Sequence, residues 1–159
     1  MSEQNKSVAR RFFLELHGAN YLAAADEILD PNILVHGPGV PPGGIRPGSE
    51  GFKEMMGRFQ TAFPDRRLTI EEMIAEGDKV MGRWTFSGTH TGPLGDIPPS
   101  GKHVMWAGVS IIRIAAGRVV EDWAISDAFR VMQELGITPL PGRAEGAVSS
   151  RPKGREAPH

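Results

Sequence analysis

Residues 102–127 have the sequence KHVMWAGVSIIRIAAGRVVEDWAISD, in which two apolar runs flank an Ala-Gly pair. The first run, 102–115, and the second, 118–126, each have the length and composition of a β-strand. Ala116 and Gly117 between them form the kind of dipeptide that closes a tight hairpin. This stretch therefore predicts two paired antiparallel strands near the C-terminal end of the chain.

Two more strands precede this hairpin. Residues 79–90 (KVMGRWTFSGTH) alternate between the two sides of a strand, which places Trp84 and Arg83 on opposite faces. Residues 67–76 carry apolar side chains at even spacings, and a Gly-Asp pair separates them from the next strand. Four strands joined mainly by short turns predict an antiparallel sheet.

The N-terminal half shows helical periodicity instead. Residues 4–17, 20–29 and 49–63 each place apolar side chains on one helical face, and a short apolar run at 33–36 predicts one further strand. Residues 127–135 predict a short final helix, with a glycine behind it as the C-cap. Helices first and strands afterwards predict an α+β domain, with three helices packed on a curved antiparallel sheet.

The 159 residues fit a single domain, which we place at 1–138. The chain contains 20 glycines and 13 prolines, and many of them cluster at 37–48 and 139–159. The first cluster predicts a loop. The second, rich in Pro, Gly, Ser and charge, predicts a flexible tail.

Composition argues against several classes of function. The net charge of −1 gives no electrostatic reason to expect a nucleic-acid partner. Zero cysteines exclude disulfides, thiolate catalysis and cysteine-ligated metals. No apolar run is long enough for a membrane span, and the N-terminus lacks the apolar stretch of a secretory signal, so we expect a cytoplasmic protein without membrane attachment.

Asp127 is the first candidate for chemistry. On a regular strand, Val119, Glu121, Trp123, Ile125 and Asp127 share one face. A carboxylate among apolar neighbours has a raised pKa, which suits a general acid/base near neutral pH. The alternative is that Asp127 caps the following helix, in which case its pKa would be lowered.

Two histidines are further candidates for catalysis. His36 and His90 each lie where a predicted strand enters a Gly-rich loop, a frequent place for a functional side chain. His17 follows the first helix and is interpreted as a partner of the helix dipole. No histidine pair has metal-binding spacing, and no phosphate loop or dinucleotide fingerprint occurs, so we expect neither a metal nor a cofactor.

Aromatic side chains on separate strands predict an apolar pocket for a small hydrophobic substrate. Arg83 would need a carboxylate partner inside such a pocket, and the alternative is that it faces solvent. The expected lining residues are Phe59, Arg83, Trp84, Met105, Trp106 and Trp123.

Five segments together resemble the SnoaL-like polyketide cyclases of the nuclear transport factor 2-like superfamily. They are FFLEL (12–16), PGSEGFKEMMGRFQTAFPD (47–65), IAEGDKVMGRWTFSGTHTG (74–92), IPPSGKHVMWAGVSIIRIAAGRVVEDW (97–123) and SDAFRVMQELG (126–136). The similarity spans about residues 5–137. It implies a cone-shaped α+β barrel and a homodimer formed through the sheet.

The resemblance also implies a reaction, a cofactor-free intramolecular aldol condensation that closes a ring of a polyketide. Asp127 matches the family's acid/base position near the end of the last strand. His36, His90 and Trp106 match positions near the cavity. These matches predict a cyclase or isomerase that acts on a hydrophobic, polyketide-like molecule.

Two other functions compete with a cyclase. An epoxide hydrolase of the limonene type would need an Asp–Arg–Asp set, and Arg83 is followed two residues later by Thr85 instead of an aspartate. The set is incomplete unless Glu121 or Asp122 substitutes. A non-catalytic module that binds a small apolar ligand would use the same pocket, with Asp127 as a helix cap.

Overall fold

The computed structural model describes residues 2–37 and 48–136, without the side chains of Ala128 and Phe129. Most of the predicted 37–48 loop and the whole predicted 139–159 tail lie outside these residues. The described helices are α1 (Ser2–Glu15), α2 (Tyr21–Ile28), α3 (Gly48–Ala62) and α4 (Ala128–Glu134). The described strands are β1 (Leu29–His36), β2 (Arg67–Glu76), β3 (Lys79–Thr89), β4 (His103–Ala115) and β5 (Arg118–Ser126).

The strands form one curved, open sheet in the order β1-β5-β4-β3-β2. Strands β2 to β5 pair antiparallel with their neighbours in sequence, as predicted. Ala116 and Gly117 turn the β4–β5 hairpin with φ values of 50° and 75°, the combination that a two-residue hairpin turn of type I′ requires. The predicted α+β class is confirmed.

The β1 strand adds a feature that the sequence did not indicate. It begins at Leu29, before the predicted 33–36 segment, and pairs parallel with β5, with His36 opposite Trp123. It occupies the sheet edge, where Pro31 can be accommodated without a backbone N–H. The end of β1 therefore lies beside the middle of β5.

Helices α1, α2 and α3 pack on one face of the sheet, which we call the inner face; the opposite face is the outer face. The Phe13 ring of α1 lies directly on β3, because Gly82 leaves it room: a Cβ at Gly82 would be 2.5 Å from that ring. The buried core between helices and sheet includes Phe12, Phe13, Leu16, Ile28, Phe52, Met56, Val80, Ile112 and Val119.

A β-bulge in β5 decides which side chains of that strand face inward. Ile114 pairs with Val119, whereas the preceding Arg113 pairs with Glu121, so Val120 is an extra residue in β5. Each extra residue reverses the alternation of faces beyond it. Val119 and Asp122 are consequently both buried on the inner face.

The prediction that Val119 shares one face of β5 with Trp123 and Ile125 is therefore wrong. Val119 lies on the inner face, whereas Trp123 and Ile125 lie on the outer face and are exposed.

Within residues 2–37 and 48–136, no helix has the length and apolarity to cross a membrane.

Candidate functional site

A cavity of about 330 Å³ lies between the inner face of the sheet and helices α1 and α3. Most of its walls are apolar, and the described polar side chains that line it are His17, His36, Trp84, Trp106, Ser110, Asp122 and Ser126. A mostly apolar cavity of this size with a few polar groups is typical of a small-molecule site.

Asp122 is the acidic side chain of this cavity, and among the described lining residues it is the sole carboxylate. It is 5% exposed, and its Oδ1 atom has no hydrogen-bond partner in the described part of the chain. Burial raises its pKa to about 7, because the charged form loses its hydration without gaining a compensating charge. Asp122 can therefore exchange a proton near neutral pH.

Ser110 provides a hydroxyl next to this carboxylate on the inner face. Ser110 pairs with Ala124 of β5, which is the next inward-facing residue of that strand after Asp122. Trp84 Nε1 donates a hydrogen bond to Ser110 Oγ over 3.0 Å. Because that oxygen accepts from Trp84, the Ser110 hydroxyl proton is left to donate to a molecule in the cavity.

Gly108 makes this arrangement of Trp84 possible. It lies opposite Trp84 in the β3–β4 ladder, and a Cβ there would be 2.4 Å from the six-membered ring of the indole. The indole can lie flat along β4 only because this position has no side chain. That placement brings Nε1 to Ser110.

His17 lines the cavity just after the end of α1. Its Nδ1 atom lies 2.9 Å from the carbonyl oxygen of Phe13. Burial, reinforced by the nearby Arg66 cation, lowers its pKa to about 4 despite that hydrogen bond. The expected contact with the helix end is present, but it is made by a neutral ring rather than by a cation.

His36 lines the same cavity, while its polar contacts point to the outer side. Its Nε2 atom lies 2.8 Å from Glu121, and its ring stacks on Trp123 at 3.7 Å. Glu121 also accepts a hydrogen bond from Arg113. Burial alone would raise the pKa of Glu121, but the hydrogen bonds from Arg113 and His36 outweigh it and lower the pKa. This network fixes the His36 ring at the cavity wall.

Asp127 does not have the apolar surroundings that the strand pattern predicted. Its side chain is 47% exposed, and its carboxylate accepts hydrogen bonds from the Ala107 backbone N–H and from Arg130. It occupies the N-cap position of α4, but its side chain makes no capping hydrogen bond. The physical reason is that β5 ends at Ser126, so Asp127 lies at the rim and ties α4 to β4.

His90 is fully buried, yet it does not line the cavity. Its Nδ1 atom accepts a hydrogen bond from the Ser100 backbone N–H and lies 2.9 Å from Ser100 Oγ. Its ring packs against Phe63, behind the aromatic wall formed by Phe86 and Trp106. In this position His90 fastens the segment before β4 to the end of β3.

The predicted lining residues divide between the two faces of the sheet. Phe59, Trp84 and Trp106 line the cavity. Arg83, Met105 and Trp123 lie on the outer face, where Arg83 pairs with Glu72 over 3.4 Å and the other two are exposed. Strand alternation requires this division, because Arg83 and Met105 each adjoin a residue that points inward.

Sequence reasoning considered Asp122 only as a possible substitute in an epoxide-hydrolase set, and it missed Ser110 and the neutral state of His17. Ser110 could have been predicted from the alternation of β4, since it lies four residues after Trp106 and therefore on the same face of the strand. The bulge concealed Asp122, because a regular strand would have put it on the face opposite Val119. Within the described residues, no group of three histidine, aspartate or glutamate side chains is placed to hold a metal ion.

Comparison with known proteins supports this description of the fold. The sequence profile of the SnoaL-like polyketide cyclases matches residues 7–135. A proposed polyketide cyclase from Acidithiobacillus ferrooxidans is 28% identical, with 86% of this chain and 96% of that chain covered and a TM-score of 0.73. IdmH of Streptomyces antibioticus, also a proposed polyketide cyclase, is 29% identical, with coverage of 84% and 99% and a TM-score of 0.71.

A third structure supports the fold alone. A proposed SnoaL-like polyketide cyclase from Jannaschia sp. CCS1 is 24% identical, with 87% of this chain and 95% of that chain covered and a TM-score of 0.76. No curated protein matches the sequence. The curved sheet and its helices match the nuclear transport factor 2-like cone of these structures, as predicted. The profile match spans most of the described residues, and the chain therefore belongs to the SnoaL-like polyketide cyclase family.

Proposed function

We propose that this protein is a cofactor-independent cyclase or isomerase that acts by acid/base catalysis on a hydrophobic, polyketide-like molecule held in the cavity. Membership of the family supports a function of the cyclase or isomerase type. The observation that carries the mechanism is Asp122, a buried carboxyl group on the cavity wall with a pKa of about 7. We therefore assign the role of general base to Asp122.

The first step is the removal of a proton from carbon. Near neutral pH a large fraction of Asp122 is ionised, and a desolvated carboxylate with a raised pKa is a stronger base than one in water. A C–H next to a carbonyl is acidic because the resulting charge spreads on to the carbonyl oxygen. Asp122 takes this proton and the substrate becomes an enolate.

The enolate oxygen needs a hydrogen-bond donor in an apolar cavity. Ser110 is suited to this role, because its oxygen already accepts from Trp84 Nε1 and its proton remains to donate. Donors fixed in advance stabilise a developing charge without reorganising. We assign Ser110 as the donor to the enolate and Trp84 as the residue that positions it.

Ring closure then joins two parts of the same substrate. The enolate carbon attacks a second carbonyl carbon, a C–C bond forms, and the new alkoxide takes back the proton held by Asp122. In isomerisation the proton returns to a different carbon of the enolate. The enclosing walls of the cavity keep a flexible chain folded, which supplies part of the rate acceleration by proximity.

The cavity disfavours the epoxide-hydrolase alternative. That chemistry requires two carboxylates and an arginine around one water molecule. Asp122 is the sole carboxylate among the described lining residues, and Arg83 pairs with Glu72 on the outer face. The binding-module alternative uses the same cavity without proton transfer, so a measurement of proton transfer distinguishes it from the cyclase.

The proposal is tested with 2-tetralone, an enolisable ketone with a fused aromatic ring. In D₂O, the loss of its α-proton signal in ¹H NMR reports proton abstraction alone. We expect the wild-type protein to accelerate exchange and Asp122→Asn to slow it by about a hundredfold or more. Asp127→Asn, which changes an exposed carboxylate, is the matched control and should retain exchange within a few-fold. Equal exchange rates in wild type and Asp122→Asn would support the binding module instead.

A further inference from the structure

We propose that His17 is a specificity-determining residue of the cavity, whose Nε2 atom accepts a hydrogen bond from a hydroxyl or N–H group of the substrate. The inference rests on the proposed function, since it concerns the ligand of the same cavity. It narrows the substrate class to enolisable ketones that also carry a hydrogen-bond donor, such as a phenolic or enolic hydroxyl.

The hydrogen bond of Nδ1 fixes the tautomer of His17. Its partner, the Phe13 carbonyl oxygen at 2.9 Å, can only accept a hydrogen bond. Nδ1 must therefore carry a proton. In a neutral imidazole the other nitrogen then has a lone pair and can only accept.

His17 is kept in this neutral form by its surroundings. Burial disfavours the cation, and Arg66 adds a positive charge nearby, so the pKa of His17 falls to about 4. No acidic side chain contacts the ring to offset these effects within the described residues. At neutral pH, Nε2 is a lone-pair acceptor rather than an N–H donor.

The Nε2 atom has no protein partner in the part of the chain described. Among the described residues, the ring makes its sole hydrogen bond through Nδ1, and its other ring contact is edge-on to Phe86. Both His17 and Phe86 line the cavity. A ligand without a hydrogen-bond donor leaves Nε2 unpaired at the apolar wall. The missing hydrogen bond lowers the affinity for that ligand by about tenfold or more.

The binding experiment uses a matched ligand pair, 2-naphthol and 2-methoxynaphthalene. They share the same ring system, but the ether cannot donate a hydrogen bond. Affinity is read from the fluorescence of the cavity tryptophans, Trp84 and Trp106. We expect wild type to prefer 2-naphthol by about tenfold. His17→Phe should abolish the preference, and His17→Gln, whose side-chain oxygen can accept, should keep part of it.

Asp122 is a second acceptor in the cavity, so Asp122→Asn is the necessary control. A preference that is retained in Asp122→Asn and lost in His17→Phe supports the proposal. A preference that is retained in His17→Phe overturns it, as does one that disappears only in Asp122→Asn. If His17→Phe does not fold, side-chain ¹⁵N NMR of the wild type decides instead: Nε2 must be unprotonated and must shift with 2-naphthol, and a protonated Nε2 overturns the proposal.

This test is independent of proton abstraction. The naphthol pair has no enolisable ketone, so the binding preference can hold even where Asp122→Asn leaves exchange of 2-tetralone unchanged. In that case the assignment of His17 stands and the catalytic proposal fails. In the converse case, Asp122→Asn slows exchange while His17→Phe keeps the preference for 2-naphthol. The catalytic proposal then stands and the assignment of His17 fails.

Discussion

Asp122 lies in the middle of β5 and Asp127 directly follows its last residue, yet their surroundings differ completely. Asp122 is buried beside a cavity, and its Oδ1 atom has no partner among the described residues. Asp127 is half exposed and bonded to Arg130 and to the backbone of β4. An aspartate at the end of the chain's last strand is therefore not a sufficient sign of a base. Burial raises the pKa of the carboxyl group, and the face of the strand on which the residue lies decides whether it is buried.

The raised pKa of Asp122 makes a prediction about stability. In the unfolded chain an aspartate titrates near pH 3.9, whereas the pKa of Asp122 in the folded state is about 7. The folded state therefore binds more protons between these values, and stability falls as pH rises through that window. The loss amounts to at most about 4 kcal/mol for this shift.

Asp122→Asn should remove this pH dependence, because asparagine does not ionise. We expect the variant to match wild type near pH 4 and to be more stable above pH 7 by about 1–4 kcal/mol. Urea unfolding of both proteins across this range measures the difference. Parallel pH profiles for the two proteins would show that Asp122 is not a buried, ionisable group.

Ser110 gives a second prediction at the level of single residues. Ser110→Ala should slow deuterium exchange of 2-tetralone by about tenfold or more, because the enolate loses its donor. The control is Ser87→Ala, which changes a serine on the outer face of β3 and should have little effect on exchange. Unchanged exchange in Ser110→Ala would remove this serine from the mechanism.

The β5 strand shows how far the sequence could predict the candidate site. The hairpin turn, the strand lengths and the alternation were sufficient to predict β2 to β5 and the opposite faces of Arg83 and Trp84. They were insufficient for Asp122, because Val120 forms a bulge and reverses the alternation beyond it. The parallel pairing of β1 was also hidden, since it depends on a contact between distant segments rather than on a local pattern.

Gly108 is the position where packing between strands controls the site. Gly108→Ala would press a methyl group against the Trp84 indole and the Ile125 carbonyl oxygen. We expect it to lower the free energy of unfolding by about 1–3 kcal/mol, the usual cost of overpacking. It should also slow exchange, because Trp84 no longer positions Ser110.

A double variant separates this packing effect from other causes. Trp84→Phe removes the part of the indole nearest to Gly108, so Gly108→Ala should cost less in that background. Chemical denaturation of the two single variants and the double variant measures the coupling. If the losses in free energy of unfolding simply add, contact with the indole is not the reason why position 108 requires a glycine.

On the scale of the whole molecule, the outer face of the sheet carries an apolar patch. Ile125 is 69% exposed and borders a shallow depression of about 430 Å³ together with Val109, Ile111 and Trp123. An exposed patch of large apolar side chains on an otherwise polar surface usually marks an interface. We propose that a second copy of the chain covers it and forms a homodimer.

Sedimentation velocity tests the dimer. Ile125→Lys places a charge in the patch and should shift the protein to a monomer. Leu22→Lys replaces an exposed leucine on α2, away from the sheet, and should leave the association unchanged. A wild-type protein that sediments as a monomer at all concentrations would contradict the homodimer.

The central claim is that Asp122 is a buried carboxyl group that exchanges its proton near neutral pH, and its titration tests that claim most directly. The carboxyl ¹³C signal of Asp122, assigned by its absence in Asp122→Asn, is followed by NMR across the pH range. The structure predicts a midpoint at about 7. A midpoint at or below about 3.9, the value of an aspartate in water, would contradict it and remove the reason to assign Asp122 as the base.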